Sequence, residues 1–390
     1  MVRLGKSQDA IRRENLSALL REVHIEGAVS RATLGLKLGL SKTTIAELVT
    51  ELEQVDLVRR VGNEHKAAAG RPSQLVSPSK TPLALVVNPE IDGVNIALVN
   101  FAAELSELAF YEFDGPYSPN SLISIIQGYI RQHKQILSGR LQGVVLALPG
   151  AIDRTTGRLI DAPSLGWRDI DVASEVQSAL GVRVWCTNNA RAATVSEHYF
   201  GAAKGLRDAV CLFSGVGGIG GGLIVNSCVL EGSHGLAGEI GKMQLLVESN
   251  RKGQTFGEIM RREDLVNVLG KSRLSDVDLD EELSRTTDID VNKVVDTQVA
   301  ILISAIETLR DLFDPEAVIL GGYLGSLVKS RSGQMISALN RNSLKSRGPE
   351  FLVPRVAELK AMVLLGAAEC AWNEILQDPI PHTRKSKNAH

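Results

Sequence analysis

The sequence predicts an α/β protein in two parts, a small winged helix-turn-helix at the N-terminus and a larger two-lobed body behind it. Three observations carry this. Residues 8–55 hold three helical patterns separated by capping and turn residues. Residues 81–360 alternate strand-like with helix-like runs, the pattern of an α/β body with two lobes. Charge divides between the parts: residues 1–80 carry 13 Lys and Arg against 9 Asp and Glu, the remainder 30 against 36. A basic module on an acidic body points to a polyanionic partner for the first part alone.

The first helical pattern, residues 8–23, places Ile11, Leu16, Leu19, Leu20 and Val23 near one face. In "AVSRATLGLKLGLSKTTIAELVTELEQVDLV", Ser30 is an N-cap for "RATLGLKL", and Gly39 suits its left-handed end. Ser41 then caps "KTTIAELVTEL", where Ile45, Leu48, Val49 and Leu52 make an apolar stripe. Lys42, Thr43, Thr44 and Glu47 are left toward solvent. Two short helices around a glycine turn, the second polar at its start, make a helix-turn-helix.

Next, "LVRRV" and "SQLVS" are expected to pair as a wing. Arg59, Arg60, Lys66 and Arg71 lie on or near it, and "GRP" (Gly70, Arg71, Pro72) reads as an arm for an A·T-rich minor groove. The expected DNA contacts are Arg31, Ser41, Lys42, Thr43, Thr44, Arg59, Arg60, Gly70, Arg71 and Pro72. Thr methyls can touch thymine, and Lys can reach guanine or phosphate. The competing view is a three-helix domain that docks protein.

In the body, "LALVVN", "GVNIALVN" and "ELSELAFYEF" read as strands, and "SLISIIQGYIRQHKQIL" as an amphipathic helix. "LQGVVLALPGAID" is a buried strand ending in a Pro-Gly turn. "AVCLFSGVGG", "GGGLIVNSCVL" and "AVILGG" are later strands, and 291–313 is a long apolar-faced helix. Expected domains are 1–80, a lobe of 81–187 completed by a C-terminal helix 361–378, a second lobe of 188–360, and a disordered tail 379–390. No signal peptide or spanning apolar run is seen, and Cys186, Cys211, Cys228 and Cys370 lack zinc or disulfide spacing, so a cytoplasmic protein with buried thiols is expected.

Four loops belong together: "LPGAIDRTTGRLIDAPSLGW", "TNNARAATVSEHYFGAAKG", "GVGGIGGGLIVNSCVLEGSHGLAGEIGKM" and "DPEAVILGG". In order and spacing, with a helix-turn-helix in front, the chain resembles the ROK family, a bacterial group of sugar kinases and sugar-responsive repressors. The resemblance covers nearly the whole chain. It implies an actin-like, ribonuclease-H-like body, usually dimeric, and the helix-turn-helix places the chain with the repressors.

The kinase machinery of that family is incomplete here. Its DxGGT turn corresponds to "NPEIDGVN" (88–95), where Gly93 alone survives clearly and no Thr is present. Its catalytic Asp falls on Asn189, and an amide cannot act as a base near neutral pH. The glycine-rich Gly215–Gly222 run persists, but glycines also serve tight hairpins. The family's zinc loop corresponds to "VESNRKGQTFGEIM", which has no cysteine, so neither a metal nor another cofactor is expected. An enzyme is not expected; a degenerate sugar kinase is the alternative.

The resemblance maps the sugar site onto Asn188, Asn189, Glu239, Lys242 and, across a one-residue gap, Glu258. Lys242 stands where the family has His, so an anionic effector, a sugar phosphate or sugar acid, is favoured. A neutral sugar, or a Lys242 paired internally with Glu239 or Glu258, are the alternatives, and Arg191 is a second candidate cation. The expectation is a repressor of carbohydrate genes: a homodimer, or a tetramer, on a pseudo-palindromic, A·T-rich double-stranded operator, with a sugar-type effector and no membrane partner.

Overall fold

The computed structural model describes residues 8–63, 74–113, 115–153, 156–215, 217–245, 253–271, 274, 276–341, 354–357 and 361–380. Local sequence sets the N-terminal module. Helix α1 (Gln8–Glu26) buries Leu16, Leu19, Leu20 and Val23. The short strand β1 (Val29–Ser30) leads into α2 (Arg31–Leu38), where the Ser30 side chain accepts from the Thr33 amide. Gly39 ends α2 in the left-handed region, at φ 66°. Helix α3 (Lys42–Gln54) is capped by Ser41 and buries Ile45, Leu48, Val49 and Leu52. Strands β2 (Val58–Asn63) and β3 (Gln74–Pro78) pair antiparallel, and β1 joins the far edge of β3. Three helices with this small sheet are a winged helix-turn-helix.

The first lobe is built on a five-stranded sheet. Its strands are β4 (Leu83–Glu90), β5 (Gly93–Asn100) and β6 (Leu105–Glu112), then, after helices α4 (Pro119–Gln132) and α5 (Lys134–Leu137), β7 (Leu141–Leu148). A small sheet of β8 (Ala151–Ile152), β9 (Leu159–Ala162) and β10 (Trp167–Ile170) comes next, then α6 (Val172–Leu180), β11 (Val184–Asn188) and α7 (Asn189–Phe200). The order in the large sheet is β11-β7-β4-β5-β6, with β4–β5–β6 antiparallel and β4, β7 and β11 mutually parallel. Seven successive residues of β4 are buried because both faces of the sheet are covered.

The second lobe repeats this plan. Strands β12 (Ala209–Gly215), β13 (Gly218–Val225) and β14 (Cys228–Val229) form an antiparallel meander. Helices α8 (Phe256–Ile259), α9 (Arg262–Val268), α10 (Asp276–Arg285) and α11 (Ile289–Phe313) precede β15 (Ala317–Gly321). Helix α12 (Tyr323–Arg341), β16 (Arg355–Val356) and α13 (Met362–Gln377) complete the chain. The sheet order is β14-β13-β12-β15-β16, with β12, β15 and β16 parallel. Alternation along β12 divides its burial: Val210 and Leu212 join one core, Cys211 and Phe213 the other.

Helix α13 packs on β4, β7 and α7. The winged module has no core of its own: Leu16, Leu34, Leu48 and Val76 share one apolar cluster with Ala84, Phe101, Val145, Ala192 and Trp372. The disordered tail expected at 379–390 is corrected at its start. Pro379 and Ile380 are helical, Pro379 is buried and Ile380 packs on that cluster; residues 381–390 lie outside the described residues. Of the four thiols expected to be buried, Cys211 is buried, Cys186 and Cys370 are partly buried, and Cys228 is exposed.

Candidate ligand cleft and nucleic-acid interface

The carboxyl ends of β4, β7 and β11 and the turns of β12–β13 face each other across a cavity of about 490 Å³. Asn88, Glu90, Asn188, Asn189, Arg191, Ser214 and Glu239 line it, with Gly217, Gly218, Ile219, Gly220 and Gly221 and the start of α13 at Met362–Leu364. Ligands of open α/β sheets bind at such strand ends.

Asn188 caps α7: its Oδ1 accepts from the Arg191 amide at 2.9 Å, and its Nδ2 donates to the Gly150 carbonyl at 2.8 Å. It therefore ties the first turn of α7 to the Pro149–Gly150 turn. Asn189 reaches the other way, its Nδ2 donating to Glu90 Oε1 at 3.4 Å.

Glu90 and Asn88 are site residues that the sequence pattern did not reveal. Asn88, 6% exposed, donates to Glu90 Oε1 at 3.1 Å, and its own Oδ1 is buried with no hydrogen-bond partner. Burial raises the Glu90 pKa; the amides of Asn88 and Asn189 oppose the rise and nearby Asp92 adds to it. The Tyr117 hydroxyl donates to the Glu90 carbonyl at 2.8 Å and fixes the turn. A signal for both exists in the sequence: the strand-end rule that singles out Asn188 applies equally to the end of β4.

Two expected effector residues do not line the described cleft. Glu258 does not line the cleft; it is exposed and closes a capping box, accepting from the Thr255 amide at 2.7 Å and its hydroxyl at 3.0 Å. Those two bonds hold its pKa below the usual value. Lys242 also lies outside the lining, its side chain 71% exposed and paired with Glu239 at 3.1 Å. The short 3-10 turn Ile240–Lys242 directs it there. Arg191 does line the cleft and is ion-paired with Glu231.

On the winged module, Lys42, Thr43 and Glu47 are exposed along the start of α3. Ser41 and Thr44 are not both free for a partner, since their hydroxyls meet at 2.9 Å within the cap. Arg60 turns back on α3, donating to Thr50 at 2.8 Å and pairing with Glu53 at 2.9 Å. Arg59 is exposed, and Arg31 is half-buried at the first position of α2. Gly70, Arg71 and Pro72, with Lys66, lie outside the described residues.

Residues 93–371 match the model of the ROK family. The chain belongs to the ROK family. It is 31% identical over 241 residues to the xylose repressor of Bacillus subtilis, a match covering 61% of this chain and 62% of that protein. The chain thus spans under two thirds of that relative's length. A solved ROK family transcriptional regulator, a homologue of the E. coli MLC protein, aligns with a TM-score of 0.71 at 19% identity, over 96% of this chain and 98% of its own. A ROK family glucokinase from Streptomyces griseus, in complex with glucose and AMPPNP, aligns with a TM-score of 0.61 at 20% identity, over 75% of this chain and 99% of its own. These structural likenesses establish the actin-like body as the fold. Among the described residues, no helix is long and apolar enough to cross a membrane.

Proposed function

We propose that this protein is a sugar-responsive transcriptional repressor that binds its effector without turning it over. The observation that carries the reading is continuity: both helices that line the cleft also touch the winged module. Helix α7 starts at Asn189 in the cleft and ends at Phe200, whose ring meets His24 of α1 edge-on at 5.7 Å. Helix α13 starts at Met362 in the cleft, and its Glu369 accepts from His24 at 3.0 Å. A ligand that prefers one arrangement of α7 and α13 thereby biases the winged module, which is what linkage between two sites requires. Two copies of the chain on a pseudo-palindromic, A·T-rich site remain part of this proposal.

The effector we favour is a neutral polyhydroxylated sugar. Lys242 supplied the case for an anion, but it lies outside the lining and pairs with Glu239 at 3.1 Å. The described lining offers amides and carboxylates, which exchange hydrogen bonds with hydroxyls, and its one guanidinium, Arg191, is ion-paired with Glu231. The orphaned Asn88 Oδ1 is an acceptor that a sugar hydroxyl, directly or through one water, would satisfy. Calorimetric titration of neutral sugars, sugar acids and sugar phosphates tests this. Neutral sugars should bind tighter, unchanged in Lys242→Ala and weakened in Asn88→Ala. Tighter phosphates lost in Lys242→Ala would refute it.

Glu90 supports a second reading, sugar phosphorylation, because it is a carboxylate beside Asn189. An assay for ATP-dependent phosphorylation of hexoses separates the two. Product formation lost in Glu90→Gln would replace the repressor-only reading. Release of genomic fragments by sugar in a gel shift supports it.

A further inference from the structure

Strand β6 is an edge of the first lobe's sheet. Its Ala109 and Tyr111 pack on the core of that lobe, so the alternate residues Leu108 and Phe110 point to the opposite face. They are 58% and 48% exposed, where an edge strand ordinarily carries charge. Register identifies that face. Asn88 of β4 stands opposite Asn95 of β5, and Asn95 stands opposite Phe110. Two and four residues along β5, Ala97 and Val99 share a core cluster with Trp372, so this is the face on which α13 packs. Asn88, Asn95 and Leu108 all line the cleft. Its floor therefore runs from the amides outward to an apolar edge. A Cβ at Gly93 would lie 2.5 Å from Phe110 Cζ and 2.7 Å from Cε2, so the ring rests on that glycine with its outer side open.

We propose that Leu108 and Phe110 form a second subsite, and that the effector is a two-ring glycoside with one sugar ring among the amides of the cleft and a second ring, sugar or aryl, laid on this apolar edge. This rests on the sugar-effector reading given above and narrows it. The row starts at Asn88, whose buried Oδ1 has no hydrogen-bond partner and calls for a ligand hydroxyl at that end. Two strand spacings, about 10 Å, separate Asn88 from Phe110, a span that two linked rings cover. Volume agrees: a hexose of about twelve heavy atoms fills at most about 360 Å³, even at the ~30 Å³ that each molecule of liquid water takes. The cavity of about 490 Å³ holds more than that. An aryl ring, or the C–H face of a pyranose, buries apolar surface on Phe110 and Leu108 without needing a charge. Leu108 belongs to the cleft lining itself, so one ligand can touch both ends, which favours a ligand over a second copy of the chain as the occupant.

The test titrates the full chain by calorimetry with glucose, galactose, mannose and xylose. Each is supplied as the free sugar, the methyl glycoside, the phenyl glycoside and a disaccharide, in both anomers. For a sugar that binds, a two-ring form should bind about 3- to 10-fold tighter than the methyl glycoside. Whether the phenyl glycoside or the disaccharide gains more names the second ring. Phe110→Ala and Leu108→Ala should each reduce that ratio, with far-ultraviolet dichroism matching the native chain. Two-ring forms that bind no tighter than the methyl glycoside overturn the subsite and leave the sugar reading standing, as does a ratio that survives both substitutions. A change of oligomeric state in the variants by sedimentation velocity, with the ratio intact, also overturns it by giving the edge to a second copy of the chain. If no sugar binds in any form, the sugar-effector reading fails and takes the subsite with it.

Discussion

Replacing Glu369 with Gln tests the junction between the winged module and the body. His24 is fully buried there, stacked on Phe101 at a centroid distance of 4.5 Å. Its Nε2 lies 3.0 Å from Glu369 Oε1, and its Nδ1 lies 2.8 Å from the Phe101 carbonyl. Both ring nitrogens face acceptors, and only the doubly protonated imidazolium donates to both. Burial alone would lower the His24 pKa, and Arg21 acts in the same direction. The Glu369 charge, its hydrogen bond and the Phe101 carbonyl outweigh them, and the pKa is raised. A raised folded-state pKa gives stability that is fully present below the unfolded value of about 6.5 and is lost as pH rises through the folded value. A charge-assisted bond of this kind is worth about 1.5–3 kcal/mol. Glu369→Gln should therefore destabilise by about that amount in mildly acidic buffer and by less in alkaline buffer. Urea denaturation at a series of pH values measures it. A variant whose stability falls with pH as steeply as the native chain, between neutral and alkaline pH, would refute the charged His24.

Other expected outcomes concern the cap, the hairpin and the recognition helix. Asn188→Ala removes the cap of α7 and its tie to Gly150, and should lower stability by about 1–2 kcal/mol in the same denaturation assay. Gly222→Ala would overlap the Thr194 hydroxyl, so it should cost about 1–3 kcal/mol or more; adding Thr194→Ala restores only part, because the Thr194 Cβ is still 2.8 Å from the new methyl. Ser41→Ala should lower stability by about 1 kcal/mol through removal of the cap. Thr43→Ala should leave stability unchanged and relax base preference at one operator position by about 1–3 kcal/mol, read in competition binding.

The parts legible in the sequence are those settled by neighbours in the chain. Ser30, Gly39 and Ser41 act within one helical turn, so the helix-turn-helix could be drawn residue by residue. The apolar runs of β4, β7 and β12 announced strands because burial on both faces leaves little room for polar residues. The site was legible by position but not by direction. A motif places Lys242 and Glu258 in the right segments, whereas the turn around each decides where the side chain goes. For Glu258 the local signal existed, since Thr255-x-x-Glu258 is a capping-box spacing. For Arg60 it did not, because its turn back onto α3 comes from how the wing sits on that helix. The pairs Asn189–Glu90 and His24–Glu369 join residues 99 and 345 positions apart, and nothing in either stretch alone names its partner.

The glycine run of β13 bears on both the enzyme question and the coupling. A Cβ at Gly220 would lie 2.5 Å from the Ala190 Cβ, and one at Gly222 would overlap Thr194, so these two glycines let α7 lie directly on the strand. Gly221 points to the other face, where a Cβ would come within 2.8 Å of Ile240 Cδ1 and 3.1 Å of the Gly238 carbonyl. Three consecutive glycines are thus required by packing on both faces, with no nucleotide needed to explain them. What is left of the run to receive a ligand is Gly215, Gly217 and Gly218, and a Cβ at Gly217 would lie 3.9 Å from Glu90 Oε2 across the cleft. A carboxyl group at that turn can exchange hydrogen bonds with a ligand hydroxyl. The same packing fixes α7 to the second lobe along β13, while Asn188 ties its first turn to Gly150 in the first. A ligand that changes how the lobes meet must therefore load α7 at one end, and the other end, at Phe200, is held against His24.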